Sequence, residues 1–67
     1  MRDNWTSLTE LIHSVKNVDD RHTLLMWLKR AEYFGLRNEI SSTTMANYHN
    51  GRPLIDAMND AMFEWDI

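Results

Sequence analysis

Ile40-Ser41-Ser42-Thr43-Thr44-Met45-Ala46-Asn47-Tyr48-His49-Asn50-Gly51-Arg52-Pro53 is the stretch whose reading decides the fold. Apolar residues recur at Ile40, Met45 and Tyr48, at the spacing that lines one side of a helix. Ser41 or Ser42 can cap its start, because a hydroxyl accepts from a free backbone N–H of the first turn. Asn50-Gly51 ends it, since both residue types tolerate positive φ. Pro53 then belongs just before, or in the first turn of, another helix. Ser, Thr and Asn are poor helix formers. Their concentration here suggests selection for polar, uncharged contacts.

Three further helices are predicted around this one. Ser7-Leu8-Thr9-Glu10 reads as a capping box, in which hydroxyl and carboxylate satisfy each other's free N–H groups. Leu8, Leu11, Ile12 and Val15 follow as one apolar stripe. Asn17 to Asp20 is a polar break. The second helix has Asp19 or Asp20 as N-cap and carries Leu24, Leu25, Trp27, Leu28, Ala31 and Phe34. That wide apolar arc marks it as the central helix. Gly35-Leu36 fits a left-handed C-terminal cap. In the fourth helix Leu54, Ile55, Met58, Ala61, Met62 and Trp65 form the stripe, while Asp56, Asp60 and Glu64 fall opposite. No strand alternation or internal repeat is visible. The expected fold class is all-α: a single helical domain over residues 1–67 with four to five helices.

Composition removes several classes of function. There is no cysteine, so neither a disulfide framework nor a thiolate metal site is available. The longest apolar run, Leu24-Leu25-Met26-Trp27-Leu28, is too short to cross a bilayer. Met1-Arg2-Asp3-Asn4-Trp5 is not followed by an apolar segment, so no signal peptide is expected. The expected setting is the cytoplasm of a bacterial or infected host cell, without membrane partners. His13, His22 and His49 share no ligand spacing and read as surface residues. The hydroxyls of residues 41–44 have no visible base or glycine elbow. No phosphate-binding glycine loop occurs. Hence no catalytic residues, no metal and no cofactor are expected, and the chain does not read as an enzyme.

Charge is unevenly placed. The net charge is −3. Residues 53–67 hold Asp56, Asp60, Glu64 and Asp66 without a Lys or Arg, a local balance of −4. Residues 1–52 hold seven bases against six acids. A nucleic-acid binder usually shows a clear basic face, because phosphate contacts supply most of its affinity. This chain offers a thin one.

Residues 31–50 nevertheless carry the pattern of a helix-turn-helix. With Met45 at the apolar position inside the second helix of such a unit, Phe34 takes the early apolar position and Gly35 the small one. Ile40 follows the turn and Tyr48 closes the core side. The segment at about residues 40–53 resembles the repressor and Cro family of helix-turn-helix proteins. It is also similar to the headpiece of lactose-repressor-type regulators. The turn diverges: Asn38 stands at the apolar position before it and Glu39 replaces its glycine.

The resemblance implies a small transcriptional regulator of phage or plasmid style that inserts helix 42–50 into the major groove, most simply as a homodimer. It implies Ser42, Thr43, Asn47 and Asn50 as groove-facing residues, since short amides and hydroxyls bond base edges. It implies Arg37, Thr44 and Arg52 as phosphate contacts. The alternative is a small acidic protein that binds a host or viral regulatory protein and inhibits it, as an antirepressor would. Its contact would be helix 54–65, through Asp56, Asp60, Phe63 and Glu64. Phe63 falls off the apolar stripe beside an acid, and an aromatic among acids could dock a basic groove or the equivalent helix of a second subunit.

Overall fold

In the computed structural model, which describes residues 3–67, the chain folds into four helices and, among those residues, no strand. Met1 and Arg2, which open the stretch read for a signal segment, lie outside the described residues. The helices are α1 (Asn4–His13), α2 (Val18–Tyr33), α3 (Arg37–His49) and α4 (Leu54–Glu64). The radius of gyration is 10.6 Å, close to the roughly 11 Å of a packed globular chain of this length.

Each helix start follows from which group takes up the free N–H groups. The Thr6 amide donates to Asp3 Oδ1 at 2.8 Å, so Asp3 is the N-cap of α1. Ser7 therefore lies inside the helix, which starts one turn earlier than the Ser7–Glu10 box predicts. Asn17 caps α2 by accepting from the Asp20 amide at 3.0 Å. Asp19 and Asp20 are not the cap; they occupy the first turn, where carboxylates suit the positive helix end. The α3 start departs most from expectation. It opens at Arg37 behind Leu36 without a side-chain cap, so Ser41 and Ser42 lie in its interior. Pro53 is the N-cap of α4, and its carbonyl accepts from the Ala57 amide at 2.8 Å.

Three helices end in the same way. After α2, Leu36 N–H donates to the Ala31 carbonyl at 2.9 Å and Gly35 N–H to Glu32 at 3.1 Å, with Gly35 at φ +70°. After α3, Arg52 N–H reaches Asn47 and Gly51 N–H reaches Tyr48, with Gly51 at φ +97°. After α4, Ile67 N–H reaches Met62 and Asp66 N–H reaches Phe63, with Asp66 itself at φ +56°. This paired bonding of the last carbonyls needs one left-handed residue. Glycine supplies it twice and aspartate once.

The core is built from Leu8 and Ile12 of α1, Leu24, Leu28 and Ala31 of α2, Ile40 and Met45 of α3, and Met58, Ala61 and Met62 of α4. Leu11, Val15, Leu36, Leu54 and Ile55 pack partly buried around it, as do Trp5 and Trp27. Two expected core aromatics face water instead: Phe34 at the end of α2 is 51% exposed and Trp65 is 42% exposed. Met26 is also exposed, unlike the other internal methionines. The central helix is α3 rather than α2: its interfaces with α4 and α1 are the largest in the molecule.

Candidate functional site: the outward faces of α3 and α4

The inward side of α3 is polar as well as apolar. Ile40, Ser41, Thr44 and Met45 are buried there. Ser41 Oγ donates to the Arg37 carbonyl at 2.6 Å, so its hydroxyl is satisfied within the helix. Thr44 Oγ1 is buried without a hydrogen-bond partner. Thr44 thus faces the core, and the phosphate contact expected of it is corrected.

The remaining residues expected to meet DNA are scattered among other tasks. Ser42 is exposed, but its Oγ accepts from Asn4 Nδ2 at 3.0 Å, which joins α1 to α3. Thr43 Oγ1 accepts from Trp65 Nε1 at 3.2 Å, which joins α4 to α3. Asn47 Nδ2 donates to the Ala57 carbonyl at 3.3 Å. Asn50 is exposed as the C-cap of α3. The Arg37 guanidinium sits 4.7 Å from the centroid of the Trp5 ring. Arg52 Nη2 pairs with Asp60 Oδ2 at 2.7 Å. The exposed positions of α3 are Arg37, Asn38, Ser42, Ala46 and His49, with Glu39 half-buried beside them. The charges there are one base, Arg37 at the start of the helix, and one acid, Glu39.

The outward face of α4 is different in kind. Ala57, Met58, Ala61 and Met62 are buried. Asp56, Asn59, Asp60, Phe63 and Glu64 project opposite, spaced three and four apart. Phe63 lies at the C-terminal end of this face, flanked by Asp60 and Glu64, and is 87% exposed. No base on α4 offsets the three acids; Arg52, ahead of the helix, engages Asp60 alone. The sequence thus placed Phe63 correctly off the core stripe.

A second set of exposed aromatics was not singled out from sequence. Tyr33 is 83% exposed and meets Phe34 edge-on, with ring centroids 5.2 Å apart. Phe34, Phe63, Met62 and Ile67 line one shallow cleft of about 350 Å³, edged by Arg30 and Asp66. The C-terminal ends of α2 and α4 therefore meet in a patch of aromatic surface. A sequence signal existed in Tyr33-Phe34 next to the Gly35 cap: side chains that end a helix at a reversing turn need not reach the core. No helix among the described residues is long and apolar enough to cross a membrane. No protein-family model, no curated protein and no solved structure matches the chain.

Proposed function

We propose that this chain is a small acidic protein-binding module that docks the outward face of α4 on a basic groove of a regulatory protein and thereby inhibits it. The observation that carries this reading is Phe63, nearly fully exposed at the end of a face otherwise made of Asp56, Asn59, Asp60 and Glu64. A helix laid in a groove binds through anchors spaced three and four apart. An exposed aromatic supplies the binding energy, and the neighbouring charges steer the encounter and select the partner. Regulators that hold nucleic acid carry such positive grooves, because phosphate binding requires them. Capture on immobilised protein tests it: a basic partner held by the wild type is expected to be lost with Phe63→Ala and released by salt. Retention by Phe63→Ala would overturn the reading.

One observation favours DNA binding through α3 as a second reading. The link between α2 and α3 is the three-residue turn Phe34-Gly35-Leu36, a length a helix-turn-helix uses, although it precedes the Asn38-Glu39 turn that the resemblance implies and leaves those two residues inside α3, and Ser42, Ala46 and Asn50 stay exposed behind it. A mobility-shift assay at low and moderate salt decides it. A salt-sensitive complex with one genomic fragment would support it, and no complex with any fragment would sink it.

A further inference from the structure

The outward faces of α2 and α4 are complementary in charge and alike in apolar content. On α2, His22, Met26, Lys29, Arg30 and Tyr33 are all exposed and lie opposite the buried Leu24, Leu28 and Ala31. This face joins two strong bases to Met26 and Tyr33 near its C-terminal end; Glu32, also exposed, lines the same hollow as His22, Met26 and Lys29, and Asp19 is exposed in the first turn. The α4 face joins Asp56, Asp60 and Glu64 to Phe63. The two helices meet at their C-terminal ends, across the cleft edged by Arg30 and Asp66. Among the described residues, Lys29, Arg30, Glu64 and Asp66 form no ion pair. Both signs of charge are thus held unpaired on either side of one aromatic patch.

We infer that the occupant of this patch is a second copy of the same chain, related by a two-fold axis through the cleft. Under such an axis every contact occurs twice, so the basic α2 face of each copy meets the acidic α4 face of the other. Tyr33, Phe34 and Phe63 of both copies leave water together at the centre. A contact of ordinary size covers about 800 Å² per partner. That is about a sixth of the 4622 Å² accessible surface of this chain. The inference rests on the reading of α4 as a protein-contact helix and adds a regulation to it. The dimer covers Phe63, so self-association and partner binding compete for one face, and only the monomer is competent to bind.

Sedimentation equilibrium of the pure protein across micromolar to millimolar concentration tests this without any partner. The wild type is expected to reach twice the 8.0 kDa chain mass. The variant pair Lys29→Glu with Arg30→Glu makes both faces acidic, and Asp56→Lys with Glu64→Lys makes both basic. Each alone is expected to dimerise at least tenfold more weakly, while an equimolar mixture restores the dimer, since the faces then match in both directions. Phe63→Ser supplies an uncharged variant expected to weaken the dimer as well, with helix content checked by circular dichroism. A wild type that stays at 8.0 kDa, or variants that dimerise as well as it does, would overturn the inference. A monomeric wild type that still captures a partner through Phe63 would remove the dimer alone and leave the proposed function standing.

Discussion

Trp65 and Thr43 are joined by a hydrogen bond: the indole Nε1 donates to Thr43 Oγ1 at 3.2 Å, across the interface of α4 and α3. A residue that the sequence assigns to a DNA groove is in this way an anchor for the end of α4. Thr43→Val removes the acceptor and keeps the shape. The bond is exposed, so its loss is expected to cost only about 0.5 kcal/mol. Thermal unfolding followed by circular dichroism would register this as a fall of a few degrees in Tm, at about 4–8 °C per kcal/mol for a chain of this size. An unchanged Tm would show that the bond contributes nothing.

Thr44 predicts the opposite sign. Its hydroxyl is buried without a partner, and an unsatisfied buried polar group costs about 1–3 kcal/mol. Thr44→Val replaces it with a methyl group of nearly the same volume. We expect stabilisation of about 1 kcal/mol, read as a higher urea midpoint at an unchanged slope. A lower midpoint would mean that the hydroxyl has a partner after all.

Asp66 holds a left-handed conformation, φ +56°, that glycine adopts freely. The equivalent positions after α2 and α3 are Gly35 and Gly51. Asp66→Gly is therefore expected to stabilise the end of α4 by about 1 kcal/mol. Asp66→Val, with a branched side chain in that conformation, is expected to destabilise it. Urea unfolding of the two variants side by side checks the order, and a reversed order would contradict the cap.

Acid sensitivity follows from Asp3. The Thr6 backbone N–H that it caps, helped by the Thr6 side chain and by the charge of Arg37, holds its carboxyl below the ordinary value of 3.8. A depressed native value means that the unfolded chain takes up the proton first. The contribution of the cap is then complete above about pH 3.8 and is lost as pH falls through the lower native value. Asp3→Ala is expected to lower Tm at neutral pH, and the gap to the wild type is expected to narrow below that point. A gap that stays constant into acid would exclude a charged cap.

Much of the fold is legible in the sequence where one local rule has no competitor. Gly35-Leu36 and Asn50-Gly51 mark the ends of α2 and α3, because positive φ excludes most other residues. Leu8 and Ile12, Leu24 and Leu28, and Met58 and Met62 mark their buried faces by spacing alone. Where two local rules compete, the outcome turns on packing. Both Asp3 and Ser7 could cap α1; the helix takes the earlier start, and Trp5 in that added turn packs on the core and under the Arg37 guanidinium. Ser41 and Ser42 look like caps, yet the Gly35 turn has already reversed the chain, so α3 starts at Arg37 and buries Ser41. The candidate site divides likewise. Phe63 is legible as an aromatic off its stripe. The engagement of Thr43, Asn47 and Arg52 is not, because each bonds to a residue of α4 or just beyond it, 22, 10 and 8 positions further along the chain.

The most direct test of α4 as the contact helix is a matched capture experiment with immobilised wild type, Phe63→Ala, and the pair Asp56→Lys with Glu64→Lys. The same basic protein should be retained by the wild type, released as salt rises, and lost with both variants, while Asn38→Ala and Ala46→Ser on the outward face of α3 retain it. Undiminished capture by both α4 variants, or loss on changing α3 alone, would contradict the assignment of the contact to α4.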